Sequence, residues 1–240
     1  MIALFTDFGV AGPYVGQMEA VLHQWAPQVK VINLISDAPK SNPVLSSYLL
    51  AALRHSLPKN TVFLSVVDPG VGGQRLPVVL EADNQFFVGP DNGLFNTIAV
   101  HANKVSWYEI IWQSENCSSS FHGRDLFAPV AALLTKGEKD NLLQSYQNEN
   151  LENWPADYAG IIYFDHYGNA FTGLRYINQM STKQLQVGDL ALDQAETFCK
   201  VKQNQAFWYQ NSSGLVEIAI NQGNAKTQLK LELGMPVKFV

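Results

Sequence analysis

Hydrophobic positions along the first half of the chain switch repeatedly between two periods. Residues 2–6 are a short apolar run, which predicts a buried strand. Pro13 opens a helical stretch in which Tyr14, Met18, Val21, Leu22 and Trp25 fall on one face. Residues 29–35 are β-rich. Val44, Leu45, Tyr48, Leu49 and Ala52 make the next helical stripe, and residues 61–67 form another apolar strand. Residues 76–80 and 85–88 read as a hairpin turned at Ala82-Asp83-Asn84. Residues 104–110 predict a further strand and 126–134 a last helix, in which Pro129 either lies in the first turn, where a missing N–H is tolerated, or kinks the helix. This alternation predicts an α/β fold: a mostly parallel, Rossmann-like sheet with helices on both faces.

After residue 135 the pattern changes. A polar stretch rich in Asn, Gln and Glu runs to Pro155 and reads as a connection holding at most a short helix. Beyond it, strand follows strand at residues 160–164, 170–174, 206–209, 215–220 and 236–240. Turns such as Tyr167-Gly168-Asn169 and Ser212-Ser213-Gly214 separate them, which predicts a small, barrel-like all-β domain. The expected organisation is an α/β domain over residues 1–138, a linker over 139–157 and a β domain over 158–240.

Composition narrows the function classes. Of 240 residues, 47% are apolar and 15% charged, which supports a sizeable core and argues against disorder. The net charge is −5 and no Lys/Arg run stands out, so the basic footprint of a nucleic-acid binder is missing. No apolar run approaches the roughly 20 residues of a spanning helix, so no membrane partner is expected. The first residues show no signal-peptide pattern. Cys117 and Cys199 form no CxxC; they read as packing residues with reduced thiols, as in a cytoplasmic protein.

Candidate chemistry gathers where strands end. The first strand leads into Thr6-Asp7-Phe8-Gly9, the third into Asp68-Pro69-Gly70-Val71-Gly72-Gly73 and Arg75. The hairpin leads into Gly89-Pro90-Asp91-Asn92-Gly93, and the last strand into residues 118–125. In open α/β sheets ligands bind beyond the carboxyl ends of strands, so these loops converge on one crevice. Singly, each residue has an ordinary use: Asp favours turns, Gly supplies positive φ, Asp125 suits a helix cap. There is no phosphate-cradling P-loop, no complete GxGxxG and no GxSxG elbow. A hard-cation site built from Asp7, Asp68, Asp91, His122 and Asp125 lacks the usual ligand spacing, and no metal is expected. The residues themselves give a small-molecule site with acidic, histidine and arginine groups.

These stretches, with Ser120-Phe121-His122-Gly123-Arg124-Asp125 and Asn211-Ser212-Ser213-Gly214, closely resemble the S-adenosylmethionine hydroxide adenosyltransferases, long catalogued as a domain of unknown function and related to the bacterial fluorinase and chlorinase. The resemblance spans nearly the whole chain. It implies that water or hydroxide attacks C5′ of S-adenosylmethionine, giving adenosine and L-methionine without a cofactor. It assigns Asp68, Arg75 and His122 to the nucleophilic water, with His122 as proton acceptor, a carboxylate orienting it and the guanidinium favouring hydroxide. Asp7 matches the residue that takes the ribose hydroxyls, Asn169 an adenine contact, Tyr167 a stacking position and Ser212 a contact to the methionine carboxylate. Phe8, Asn92, Ser120 and Asp165 belong to the same implied substrate-binding set. The family forms trimers with substrate between subunits, which implies a homotrimer here. On this reading Asp125 caps the last helix and Arg124 is architectural.

The chain departs from the family pattern at three places. Gly12 stands where an acidic residue contacts the methionine amine. Asn33-Leu34-Ile35-Ser36 replaces a D-I-x-H motif, and Glu19-Ala20 replaces Lys-Gly. Two other readings stand beside this one: a non-catalytic adenosine- or S-adenosylmethionine-binding module, which the loss of the acid at Gly12 favours, and a halide-using enzyme; the intact Asp68, Arg75 and His122 set argues against both.

Overall fold

A computed structural model describes residues 1–148 and 151–240. The chain divides into two compact units, one of Met1–Ala51 with Leu57–Trp154, the other of Ala52–Ser56 with Pro155–Val240.

The first unit is built on a seven-stranded sheet. Its strands are β1 (Ile2–Thr6), β2 (Val31–Ile35), β3 (Val62–Val66), β4 (Pro77–Ala82), β5 (Gln85–Pro90), β6 (Val105–Ile110) and β7 (Leu143–Tyr146). They lie in the order β2-β1-β3-β5-β4-β6-β7. β1 pairs in parallel with β2 and β3, and β3 with β5, while β4 and β7 run against the rest. Helices α1 (Tyr14–Trp25), α2 (Pro43–Leu53), α3 (Asn96–His101) and α4 (Ala128–Thr135) make the crossovers and cover the sheet. On one face Met18 and Leu22 of α1 and Val130 and Leu134 of α4 pack on Ile2, Leu4, Val62, Leu64 and Val66. The other face is aromatic: Phe63 stacks on Phe87 at 4.7 Å, and Phe87 meets Phe95 at the start of α3. A hydroxyl pair, Ser47 with Thr97 at 2.7 Å, ties α2 to α3. The residue alternation along β1 and β3 therefore feeds two cores, as expected for a sheet covered on both sides.

The expected hairpin is present. Asp83 and Asn84 both have positive φ, 49° and 66°, and Ala82 pairs with Gln85, which is the two-residue turn that matches strand twist. Three local readings change. The polar stretch expected as a connection contains β7, an edge strand that pairs with β6 and whose middle residues Gln144 and Ser145 are exposed. Residues 149 and 150 of that stretch lie outside the described residues. The helix α3 was hidden by the turn signals before it. Both cysteines are free and exposed, not packed.

The second unit carries β8 (Tyr158–Phe164), β9 (Ala170–Arg175), β10 (Leu185–Val187), β11 (Leu190–Leu192), β12 (Ala206–Gln210), β13 (Leu215–Ile220) and β14 (Val237–Phe239), with one short helix, α5 (Ala225–Gln228). They form a four-stranded sheet, β12-β13-β9-β8, and a three-stranded sheet, β11-β10-β14. Single bridges, Gly160 with Pro236 and Gln194 with Trp208, join the two at both edges. Trp208, Val216, Ile218 and Ile220 fill the space between them with Leu185, Val187 and Val237. β10 and β11, three residues each, are too short to read from periodicity.

Candidate active site

The sheet order places a topological switch point between β1 and β3, because the chain goes from β1 outward to β2 and returns to β3 on the other side. A ligand is expected beyond the carboxyl ends of those two strands. A cavity of about 90 Å³ lies there, lined by Asp7 and Phe8 after β1, Val66 and Asp68 at the end of β3, Ser41, and Ser120 to Gly123.

Asp68 is nearly buried, its side chain 4% exposed. Arg75 donates to its Oδ2 twice, from Nη2 at 2.6 Å and from Nε at 3.0 Å. The same Nη2 lies 2.8 Å from His122 Nδ1. The guanidinium sits over the Phe127 ring, 5.3 Å from its centroid, and the His122 ring meets Phe127 edge-on. The order of contact is therefore carboxylate to guanidinium to imidazole. This differs from the expectation of a carboxylate orienting the histidine. A guanidinium has only donors, so Nδ1 accepts, and neutral His122 carries its proton on Nε2. Burial, with Arg75 nearby, pushes the His122 pKa below its ordinary range, which keeps the ring neutral. Asp68 Oδ1 is buried and has no partner among the described residues. An unpaired buried carboxylate oxygen is costly and, in a cavity wall, is an acceptor ready for a ligand or water.

Local structure holds these groups. Asn92, expected to bind substrate, gives its amide to the Val67 carbonyl at 2.9 Å and accepts from the Leu94 N–H, so it fixes the end of β3 beside Asp68. The Asp68 loop and the Ser118–Ser120 loop touch at Gly72, where φ is +76° and a Cβ would come within 2.5 Å of the Ser119 carbonyl oxygen. His122 opens a wide helical turn, Gly123–Phe127, with i→i+5 character, running directly into α4. Such turns recur at functional sites because they re-aim side chains. Asp125 does not cap this helix. Its carboxylate accepts from the Ser118 N–H at 2.9 Å and pairs with Arg124 at 2.6 Å, closing the Ser118–Asp125 loop on itself. Arg124 also donates to Gln17 of α1 and stacks on Phe121. Ser120 lines the cavity.

Asp7 accepts from the Ser41 N–H at 2.7 Å, and burial, with Asp68 adding to it, raises its pKa. Ser41 has positive φ and no motif marks it, so sequence reasoning missed it. Asp91 is used elsewhere: it accepts from Tyr146 Oη at 2.6 Å and from Asn148, which anchors β7 and the residues after it. Gly12 has φ +114°, a conformation that an L-side chain rarely adopts, so an acidic side chain at this position would be strained.

The second unit holds a larger cavity, about 770 Å³, lined by Asp165, Tyr167, Asn169, Phe198, Tyr209 and residues 220–224. Asp165 organises its wall, accepting from the N–H groups of Tyr167 and Asn169 and from Asn169 Nδ2 at 3.0 Å. That fixes the Asn169 amide with its carbonyl oxygen left for a ligand. Tyr167 is 73% exposed at the rim. Ser212 lies exposed at the tip of its turn and does not line this cavity. A further cluster behind the wall, Tyr209, Glu217 and Asn211, was not foreseen, although a lone carboxylate inside the apolar run Leu215–Ile220 was a visible signal.

The sequence matches the SAM hydroxide adenosyltransferase N-terminal domain over residues 2–144 and the corresponding C-terminal domain over residues 159–238. It is 32% identical over 258 aligned positions to the (R)-S-adenosyl-L-methionine hydrolase of Thermus thermophilus, covering 100% of this chain and 99% of that protein. The protein of the same name from Salinispora arenicola is 32% identical, with 97% and 95% covered. Among solved structures, an uncharacterized conserved protein from Thermotoga maritima superimposes with a TM-score of 0.90 at 28% identity, covering 100% of this chain and 99% of that one. Matched across both of its units, this chain belongs to the SAM hydroxide adenosyltransferase family.

Proposed function

We propose that this protein hydrolyses S-adenosyl-L-methionine to adenosine and L-methionine. The observation that carries the reading is the Asp68–Arg75–His122 chain of contacts in a cavity at the switch point of the sheet. Family membership and relatives named as hydrolases of this substrate support it.

The chemistry asks little of the protein at the leaving group. Water oxygen bonds to C5′, the C5′–S bond breaks, and sulfur keeps the electron pair and departs as a neutral thioether. No general acid and no cofactor is needed. The nucleophile is the weak partner, since water has a pKa near 15.7. Asp68 Oδ1 takes the proton that water loses, while Arg75 holds the other carboxylate oxygen. His122, with its proton on Nε2, donates to the incoming oxygen as hydroxide character develops. Asp7 takes the ribose hydroxyls, with Phe8 and Ser120 beside it; Asn169 and Tyr167 take the adenine, and Ser212 the methionine carboxylate.

Drug-sized ligands occupy cavities of about 300–1,000 Å³, so the cavity at Asp68 holds only part of this substrate. Asp7 and Asn169 also lie in different units. Both facts suit a homotrimer whose sites are shared between subunits. Two free, exposed cysteines suit a reducing, cytoplasmic setting.

The test is product analysis by liquid chromatography after incubation with S-adenosyl-L-methionine and chloride. Adenosine is the expected product. A 5′-halo-adenosine would assign a halide-using enzyme, and unchanged substrate a binding module; either outcome contradicts the proposal.

A further inference from the structure

Glu217 is a carboxylate where the fold gives no reason for one. It lies in the middle of β13, 2% exposed, opposite Tyr209 on β12 and Phe171 on β9. Its side of the sheet carries Phe207, Tyr209 and Ala219, with Phe198 packed on them. Among the described residues no cation pairs with it. Its two oxygens accept instead from neutral donors: Oε1 from Tyr209 Oη at 2.5 Å, Oε2 from Asn211 Nδ2 at 2.9 Å. Buried carboxylates without a cation are costly, and an apolar residue of similar size is usually the more stable choice.

The contact with Asn211 explains what the acid does. Asn211 offers its own Oδ1 to two backbone donors, the N–H of Ser213 at 2.9 Å and of Leu215 at 3.0 Å. The Asn211 carbonyl accepts from the Gly214 N–H, and the Asn211 N–H donates to the Leu215 carbonyl. The turn that carries Ser212 is thus gathered on one residue, two of its four bonds on the Asn211 side chain and two on the Asn211 backbone. An amide can face either way, and only the orientation with its oxygen toward the turn satisfies these N–H groups. A carboxylate fixes that orientation because it accepts and never donates. Tyr209, on the other oxygen, also lines the larger cavity.

We infer that Glu217 is a positioning residue for the amino-acid end of the substrate, acting through Asn211 on the turn that presents Ser212. This deepens the proposed function and rests on its assignment of Ser212 to the methionine carboxylate. Burial pushes the Glu217 pKa up to about 7, consistent with an acid held in place against its own solvation. Asp165, across the cavity wall, is the other acidic group that raises it.

The experiment is isothermal calorimetry of S-adenosylmethionine and adenosine, together with steady-state kinetics, on the full chain and on Glu217→Leu, Glu217→Gln and Asn211→Ala. Leucine removes the acceptor. Glutamine keeps an oxygen for Asn211, because the Tyr209 hydroxyl can rotate and accept from the new amide. Glu217→Leu and Asn211→Ala should each weaken S-adenosylmethionine roughly tenfold, in affinity and KM, by loss of one hydrogen bond to a charged group. Their kcat and adenosine affinity should stay within about twofold of wild type, and Glu217→Gln should behave as wild type. Wild-type S-adenosylmethionine affinity in either of the first two variants overturns the inference. So does an equal loss of adenosine affinity, which marks a merely structural role; Asn211→Ala decides the matter if Glu217→Leu does not fold. Wild-type protein that binds adenosine but not S-adenosylmethionine overturns the proposed function and this inference together.

Discussion

At the scale of single residues, the central feature is the direction of two hydrogen bonds. Arg75 occupies Nδ1 of His122, and Arg75 in turn leaves one oxygen of Asp68 free. Protonating His122 places a second N–H against the guanidinium and breaks the contact. The sign follows from the pKa, which is lowered: the folded protein resists this proton more than the unfolded chain does. Stability and activity from this group are present above the ordinary histidine range and are lost as pH falls through the unfolded and then the depressed folded value. The kcat/KM profile should therefore hold flat down through the usual histidine pKa of about 6.5 and fall only below it. Arg75→Lys should move the acid limb, since a lysine presents one point charge in place of a fork. A profile in Arg75→Lys that overlays wild type would remove Arg75 from the chain of contacts. That these three residues share one crevice was legible from the strand ends that carry them, and that they act as a set only from the family motifs. Their order of contact was not, because it depends on a histidine 47 positions from its arginine.

At the scale of elements, the loops after β1 and β3 and the loop before α4 do the positioning, and glycine lets two of them meet. Gly72→Ala adds both an unfavourable φ and a collision with the Ser119 carbonyl. Gly137→Ala adds only the first, because φ is +82° but nothing lies within 4 Å of the new methyl. Strain of this kind costs about 1–3 kcal/mol. Urea unfolding should show Gly72→Ala to be the more destabilised of the two, with kcat/KM falling as well, while Gly137→Ala keeps its activity. Equal losses in the two variants would mean that the loops can separate freely. The strands of this scaffold were readable where both faces are buried, as in β1 and β3, or where a turn demanded Asp-Asn. β7 was not, because an edge strand with two exposed polar residues at its centre carries no apolar period.

At the scale of the whole molecule, the sheet with a switch point and the small closed β unit each supply a cavity that holds candidate substrate-binding residues, and the two units were foreseeable as classes from the change in hydrophobic period near residue 136. What periodicity cannot give is the reaction, since one fold hosts many. Reaction with S-adenosylmethionine in heavy-oxygen water, with both products analysed by mass spectrometry, tests the account most directly. Attack of water at C5′ puts the heavy oxygen in the 5′ hydroxyl of adenosine and leaves methionine unlabelled. Adenosine without the label, or label appearing in the methionine half, would contradict it.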